Sequence, residues 1–204
     1  MINILIVLIA YFLGNISGSL IFGKILYGID IRNMGSGNAG ATNATRSVGK
    51  KFGAIVLLVD LLKAVIAVCI GILLNGKDGG LLAGLFTVIG HDFPIIYGFK
   101  GGKGIASSAG VILILDYRIF LILLGMFIVL LVLTKFVSIA SISASVGISI
   151  LTAIFHNDEP KFIFTMILLS IFAVYRHKSN ISNLINGTES KFYFRKNKNQ
   201  QGGL

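Results

Sequence analysis

Cysteine is nearly absent from this sequence of 204 residues: the single example, Cys69, lies within an apolar run, so no disulfide can form inside the chain. Charged residues are also scarce at 13%, whereas hydrophobic residues make up 55% and the mean hydropathy is +0.89. A soluble domain could not bury that much apolar surface, and several apolar runs reach the ~18 residues of a membrane span. Both prolines, Pro94 and Pro160, fall near the ends of such runs. The composition therefore excludes a soluble globular protein and predicts a polytopic membrane protein.

Seven apolar segments predict an all-α integral membrane protein with about seven transmembrane helices. They cover residues 3–24, 53–74, 80–97, 104–115, 118–134, 138–155 and 161–175. Neither a basic segment nor a small-residue cleavage site accompanies the first one, so we expect it to remain as a span rather than to act as a cleaved signal peptide. We predict one membrane domain over residues 1–194 and a disordered polar tail over residues 195–204.

Lysine and arginine are distributed unevenly between the two ends of these spans. With the N-terminus outside and the C-terminus in the cytoplasm, 14 of them lie on the inner side and three, Lys77, Arg118 and Lys161, on the outer side. This is a strong positive-inside signal. The net charge of +10 indicates anionic lipid headgroups rather than nucleic acid as a partner, because the basic residues are divided among short loops and a tail. The glycine-rich stretches then gather at one cytoplasmic face and can build one site.

The stretch MGSGNAGATN has the G-x-G-x-x-G spacing of a dinucleotide-binding loop in Gly35, Gly37 and Gly40, with an acidic residue, Asp60, 20 positions after the last glycine. However, a membrane span precedes the motif where a dinucleotide-binding fold has a strand, and Asp60 lies inside the next apolar run. We therefore reject a dinucleotide site. We predict instead that Asp60 and Lys63 form an ion pair within a span.

The stretch YGFKGGKG resembles a phosphate-binding P-loop without matching it, because Tyr97 stands at its first glycine position and Gly104 follows Lys103. The physical basis of such loops still applies: glycine backbone can turn its N–H groups inward as an anion-binding nest, and a helix beginning near Gly104 adds a positive dipole end. Lys103 and Arg46 supply full charges. Hydrogen bonds come from Ser36, Asn38, Thr42 and Asn43. We predict that the two loops hold two phosphate groups; the alternative is flexible loops whose charges only set the orientation.

The three histidines differ in their surroundings. His156 lies in an outer joint and is expected to be solvated, whereas His91, near the inner end of the third span, is either a packing residue or a site residue. His177 opens the cytoplasmic tail beside the basic loops, which favours a role in the site. Spacings typical of a metal site, a G-x-S-x-G elbow and a His-x4-Asp pair are all missing from the sequence. An enzyme of this kind would supply phosphate binding and positioning rather than a strong general base.

Three stretches, GSGNAGATNATRSVGKK, GHDFPIIYGFKGGKGIASS and RHKSNISNLINGTESK, closely resemble in order and spacing the signature stretches of the bacterial acyl-phosphate:glycerol-3-phosphate acyltransferases, the PlsY family. The resemblance implies a seven-helix, multi-pass enzyme of the bacterial inner membrane with its active site on the cytoplasmic face. It implies acyl transfer from acyl phosphate to the sn-1 hydroxyl of glycerol 3-phosphate. The products would be lysophosphatidic acid and inorganic phosphate, in the first acylation of phospholipid synthesis. No cofactor and no metal are expected, nucleic acid is not expected as a partner, and no protein partner can be inferred from the sequence.

The resemblance also implies which residues form the site. Catalysis is assigned to Ser36, Arg46, Lys103 and His177. Substrate binding is assigned to Gly35, Gly37, Asn38, Thr42, Asn43, Lys100, Gly101, Gly102, Gly104, Ser138, Ser141, Asn180 and Glu189. Lys135 stands where family members commonly have an arginine, which removes a bidentate fork for phosphate. Because acyl phosphate is a mixed anhydride and already activated, neither an acyl-enzyme nor a metal is required.

Two other functions remain open for such a chain. An organophosphate transporter would use the same basic loops, but its binding elements are expected near the bilayer midplane and often in repeated halves, whereas the polar motifs here lie at one face without a repeat. A membrane acyl-phosphate hydrolase would use the same donor and transfer its acyl group to water.

Overall fold

The computed structural model describes residues 1–193, which form a bundle of α-helices. The helices are α1 (Ile2–Asn15), α2 (Gly18–Tyr27), α3 (Ala41–Ser47), α4 (Lys50–Asp92), α5 (Ile105–Leu115), α6 (Tyr117–Thr134), α7 (Val137–Phe155), α8 (Pro160–Arg176) and α9 (Lys178–Ile185). Two 3₁₀ turns, Ile31–Asn33 and Ile95–Tyr97, lie in the connections, and the described residues contain no strand. The all-α prediction is confirmed for this part of the chain. The predicted disordered tail, 195–204, lies outside the described residues.

Four helical stretches in the described part of the chain are long and apolar enough to cross a membrane. They are Ile2–Tyr27, Lys50–Tyr97, Tyr117–Thr134 and Val137–Phe155. Helices α8 and α9, which meet at a bend of 54°, give a fifth if they are taken as one span, and α5 is a shorter apolar helix. The predicted seven spans count the two halves of α4 and the short α5 separately. That count and the orientation of the spans stay predictions.

Helix α4 is broken at Asn75 and Gly76, whose backbone angles are not helical. The chain reverses there and brings the backbones of Gly71 and Gly79 into contact. A Cβ atom built on either glycine would overlap the carbonyl group of the other. In a continuous helix these two residues would be ~12 Å apart, so the two halves of α4 form a hairpin. The joint is shorter than the sequence predicts, since Gly79 already belongs to the second half and packs against the first.

The first predicted span, 3–24, is interrupted at Ile16 and Ser17, between α1 and α2. Ser17 caps α2 by accepting a hydrogen bond from the backbone of its first turn. On the α1 side, the carbonyl oxygens of Gly14 and Ile16 accept hydrogen bonds from the Lys63 ammonium at 2.9 and 2.6 Å. A break inside an apolar bundle leaves backbone groups without helical partners, and Lys63 supplies the missing donor.

Side chains from α4, α5, α6, α7 and α8 form the largest apolar core cluster. Its best-buried members include Val68, Val88, Val111, Phe162 and Met166. Other large apolar side chains, among them Leu73, Leu133 and Ile154, are exposed on the outer surface of the bundle. Such an extensive apolar exterior is unusual for a protein in water and is what a helical bundle surrounded by lipid requires.

Charged side chains join the α5–α6 turn to the α7–α8 turn at one end of the bundle. Asp116 caps α6, and the Arg118 guanidinium beside it holds the pKa of the Asp116 carboxyl well below its usual range. His156 lies between two carboxylates, with Nε2 2.8 Å from Asp116 and Nδ1 2.9 Å from Glu159. The prediction that His156 is a solvated loop residue is therefore wrong: its side chain is only 12% exposed because it bridges the two turns.

Close packing of α1 on the second half of α4 can be tested at Gly90. A Cβ atom there would overlap the Tyr11 carbonyl oxygen, so we expect Gly90→Ala to push the helices apart and lower the free energy of unfolding by about 1–3 kcal/mol. Gly125→Ala in α6 is the matched control, because a Cβ at Gly125 meets no atom within 4 Å and alanine favours helix. Thermal unfolding in detergent measures both, and an unchanged midpoint for Gly90→Ala would contradict the packing.

Candidate active site

The first glycine loop, residues 34–40, folds around the side-chain amide of Asn43. Its Oδ1 accepts a hydrogen bond from Ser36 N at 2.9 Å, while its Nδ2 donates to the carbonyls of Met34 and Asn38, each at 2.9 Å. Gly35 has a φ of +57°, and a Cβ atom on it would overlap the Asn43 amide oxygen. These contacts fix the loop backbone and turn Ser36 and Asn38 toward the neighbouring cavity.

The second glycine loop, residues 98–104, is held from two sides. Gly102 N donates to the His91 carbonyl at 3.1 Å, and the imidazole of His91 occupies the space that a Cβ on Gly102 would need. From α8, Arg176 donates through Nε to Gly102 O at 2.9 Å and through Nη2 to Gly101 O at 3.1 Å. Its guanidinium also lies 5.0 Å from the Phe93 ring centroid. Glycine is required here by packing against His91 as well as by the shape of the loop.

Two cations lie beside the third signature stretch, RHKSNISNLINGTESK. They are Lys103, in the second glycine loop, and Arg46, in the helix that follows the first. The Lys103 ammonium donates to Asn180 Oδ1, and Asn180 Nδ2 donates to Glu189 Oε1 at 2.7 Å. Arg46, on α3, donates to the Ser190 carbonyl at 2.8 Å. Burial lowers the pKa values of Lys103 and Arg46, and the Glu189 carboxylate opposes that shift in both. Two partly desolvated cations with one nearby carboxylate leave an excess of positive charge in the site.

His177 lies between α8 and α9 and presents one ring nitrogen to the same region. Its Nδ1 donates to the Ala173 carbonyl at 2.7 Å, since a carbonyl oxygen can only accept, and this leaves Nε2 with a free lone pair in the neutral ring. Burial, the largest influence, lowers the pKa of His177 to about 4. The imidazole is therefore neutral near pH 7 and acts as a hydrogen-bond acceptor rather than a cation.

Two adjoining cavities open between the glycine loops. The wide cavity, about 880 Å³, is lined by these predicted site residues: Ser36, Gly37, Asn38, Arg46, Lys100, Gly101, Lys103, Asn180 and Glu189. The narrow cavity, about 150 Å³, shares six of them and adds Thr42, Asn43, Gly104, Ser138, Ser141 and His177. Segments distant in sequence therefore converge, whereas Gly35 and Gly102 line neither cavity and serve the loop backbones instead.

A third, apolar cavity of about 230 Å³ lies beside the narrow one between α4, α5, α6, α7 and α8. The two cavities share four lining residues: Leu57, Ile105, Ala106 and Phe127. The polar end of the bundle thus adjoins an apolar space among the helices, an arrangement that suits a ligand with a charged head and a hydrocarbon tail.

A buried polar cluster lies directly beneath the second glycine loop. The predicted ion pair is confirmed, with Lys63 Nζ 3.0 Å from Asp60 Oδ1. For His91 the sequence allowed a packing role or a role in the site, and the residue both packs under the loop and lines the narrow cavity. Its Nδ1 is 2.8 Å from Lys63 Nζ. The Asp92 carboxylate is fully buried, with no hydrogen-bond partner among the described residues, and a Cβ on Gly104 would lie 3.2 Å from its Oδ1. It therefore sits at the start of α5.

Comparison with known proteins identifies the family. The family model described as glycerol-3-phosphate acyltransferase matches residues 4–187. The chain belongs to the glycerol-3-phosphate acyltransferase family. It is 48% identical over 188 residues to the glycerol-3-phosphate acyltransferase of Thermoanaerobacter sp. strain X514, covering 92% of this chain and 94% of that protein. It is 43% identical over 187 residues to the Bacillus subtilis strain 168 protein of the same description, covering 92% and 96%.

Two solved structures share the fold of this acyltransferase chain. The glycerol 3-phosphate form of PlsY (YgiH), described as an integral membrane glycerol 3-phosphate acyltransferase, has a TM-score of 0.89 at 35% identity, over 94% of this chain and 96% of that one. The lysophosphatidic acid form has a TM-score of 0.84 at 35% identity, over 94% and 95%. The predicted PlsY resemblance is confirmed, and the chain is a multi-pass integral membrane protein.

Two arginines of this acyltransferase, Arg176 and Arg32, lie at the site although they are not among the predicted site residues. Arg176 fixes the second glycine loop, and its position next to His177 in YRHKSN was the available signal. Arg32 pairs with Asp30 at 2.7 Å and donates to the Tyr97 carbonyl at 3.0 Å, which joins the two loop regions at the wide cavity. Their contacts are to backbone carbonyls far along the chain, which no local pattern reveals.

The buried, neutral His177 predicts a pH effect on the acyltransferase's stability. Its pKa of about 4 in the folded chain lies below the ordinary value of 6.5, so the unfolded chain binds the proton more readily. Stability is retained above about pH 6.5 and is lost as the pH falls toward 4. We expect His177→Asn, whose amide can still donate to Ala173, to reduce this loss. Melting temperatures of both proteins between about pH 7 and 4 measure it, and parallel curves would contradict the assignment.

Proposed function

We propose that this glycerol-3-phosphate acyltransferase takes its acyl group from acyl phosphate. It transfers the group to the sn-1 hydroxyl of glycerol 3-phosphate and releases lysophosphatidic acid and inorganic phosphate. The observation that carries the proposal is that a cationic site between two glycine loops shares part of its wall with an apolar cavity among the helices. Both substrates carry a phosphate, and the donor adds a long hydrocarbon chain. The proposed location is the bacterial inner membrane, with the site on the cytoplasmic face.

The cations in the proposal bind glycerol 3-phosphate. Arg46 and Lys103 supply the charge, and Asn180 and His177 supply hydrogen-bonding groups beside them. In the described structure Arg46 and Lys103 have a backbone carbonyl and an amide oxygen as hydrogen-bond partners. A phosphate is a stronger, charge-assisted partner than either neutral oxygen. Glu189 accepts a hydrogen bond from Asn180 and limits the net positive charge of the site.

The acyl chain of the donor in this proposal lies in the apolar cavity, with its phosphate in a glycine nest at the mouth of the narrow one. Helix α5 begins there, at Ile105 after Gly104, and its unpaired N–H groups suit an anion. Ser138 supports this placement, because it lines the narrow cavity and its buried Oγ has no hydrogen-bond partner in the described chain. An incoming phosphate or carbonyl oxygen would satisfy it.

The proposed reaction is one displacement at the donor's carbonyl carbon. The sn-1 hydroxyl oxygen of glycerol 3-phosphate attacks that carbon, and the new ester C–O bond forms. The bond between the carbonyl carbon and the phosphate oxygen breaks, and phosphate leaves with the electron pair. The hydroxyl proton passes to a phosphate oxygen of the donor, whose basicity rises as the bond to the carbonyl carbon breaks. The protein contributes positioning and charge stabilisation.

One assay separates this proposal from the two alternatives. Purified protein receives acyl phosphate with and without glycerol 3-phosphate, and both phosphate and lysophosphatidic acid are measured. Phosphate release that requires the acceptor, with equal formation of lysophosphatidic acid, is the expected result. Release without the acceptor would identify a hydrolase, and no release in either case would leave transport as the function.

Lys103→Met tests the cationic site directly. If the ammonium pairs with a partly desolvated phosphate, its loss should reduce kcat/KM for glycerol 3-phosphate by roughly 100-fold, which corresponds to about 3 kcal/mol. Lys51→Met is the matched control, because Lys51 is exposed at the start of α4 and lines neither cavity. Steady-state kinetics of both variants give the answer, and near-wild-type activity of Lys103→Met would sink the phosphate-binding role.

A further inference from the structure

The Lys63 ammonium has more partners than an ion pair requires. It lies 2.9 Å from Gly14 O, 2.6 Å from Ile16 O and 2.8 Å from His91 Nδ1, in addition to Asp60 at 3.0 Å. An ammonium has three N–H donors, and these go to the two carbonyls and the ring nitrogen. Asp60 Oδ1, which makes no hydrogen bond, supplies the balancing charge. All three donors of Lys63 are therefore committed.

This arrangement sets the state of His91. Because Nδ1 accepts from Lys63, the ring proton of neutral His91 resides on Nε2, the nitrogen that faces Gly102. The ring is only 5% exposed and fills the space that any side chain at Gly102 would occupy. The His91 carbonyl holds Gly102 N at 3.1 Å. Lys63 thus fixes the orientation of the His91 ring, against which Gly102 of the second glycine loop packs.

The next residue after Gly102 is Lys103, the cation assigned to glycerol 3-phosphate. Arg176 fixes the carbonyls of Gly101 and Gly102 from the opposite side, so the peptide before Lys103 is held between Arg176 and His91. A rotation of the His91 ring would release one side of that grip. Small displacements of a charged group at a reacting centre have large effects on rate and affinity.

We propose that Lys63 is a positioning residue for acyl transfer, acting through His91 and Gly102 on the Lys103 ammonium. The inference rests on the proposed role of Lys103 in binding glycerol 3-phosphate. A buried cation inside a span is expensive to keep, and closing the α1–α2 break accounts for only two of its three hydrogen bonds. The third, to His91, joins it to the site.

The test removes the buried charges together. The double variant Asp60→Asn/Lys63→Met removes both charges. Either single substitution would leave the other charge buried without a partner. We expect the double variant to raise KM for glycerol 3-phosphate about tenfold and to leave KM for the acyl donor within about twofold. Ser149→Ala is the matched control, because it removes a partly buried 3.1 Å hydrogen bond from α7 to Met166 O in α8, away from the loops. It should lower the melting temperature without changing either KM.

Adding His91→Phe to the double variant tests the route. If Lys63 acts through His91, the triple variant should differ from the double by no more than about twofold, because one pathway has already been cut. If His91→Phe instead multiplies the change in KM already seen in the double variant, Lys63 does not act through His91. His91→Phe alone keeps the Asp60–Lys63 pair and serves if the double variant does not fold; a KM for glycerol 3-phosphate within twofold of wild type would then overturn the proposal.

Lys103→Met, measured in the same series, keeps the two hypotheses apart. If that variant retains its KM for glycerol 3-phosphate, the proposed role of Lys103 fails, and the positioning role fails with it. If Lys103→Met raises KM but the folded double variant keeps wild-type KM and kcat, only the positioning role fails. A double variant with lower melting temperature and unchanged kinetics has lost stability alone, which also overturns the inference.

Discussion

The contact on which the rest of the structure depends is the burial of the Lys63 ammonium among polar atoms of three segments. It binds the carbonyls at the end of α1, faces Asp60 in the first half of α4 and meets His91 at the end of the second half. An uncompensated charge at this depth would destabilise the bundle by several kcal/mol, so the three segments must stay together. The Lys63 ammonium therefore holds together the α1–α2 break, the two halves of α4 and the His91 ring that lies under the second glycine loop.

The site above this point combines fixed backbone with partly desolvated charge. Asn43 uses its whole side-chain amide to shape the first loop, and Arg176 shapes the second by binding two carbonyls. Lys103 and Arg46 can then face the cavities without having to fold the loops themselves. This division of tasks gives glycine, asparagine and arginine a reason to accompany the lysine in these motifs: a cation with the proposed role in phosphate binding is more effective when the backbone beside it is rigid.

Several features followed directly from local patterns. Apolar runs predicted the helices from α6 to α8 within a residue or two, and the spacing of Asp60 and Lys63 predicted their ion pair. The breaks were harder, because they depend on contacts across the bundle. The first span is interrupted where the Lys63 ammonium can donate hydrogen bonds to two backbone carbonyls that lack helical partners. The α4 joint is short because Gly71 and Gly79 pack backbone to backbone. His156 was misjudged for the same reason: its two carboxylate partners come from different turns.

The sequence by itself determined the class of the molecule and its family, and it predicted most of the residues that line the cavities. Hydropathy, glycine spacing and motif order are local properties and can be read along the chain. Only the tertiary structure decided which of those residues face the cavities and which support them. Gly35 and Gly102 look like phosphate ligands in the motifs, yet they line neither of the two polar cavities and their close contacts are with protein atoms. The reason is physical: whether a backbone amide or side chain is free for a ligand depends on what has already paired with it, and those partners lie elsewhere in the chain.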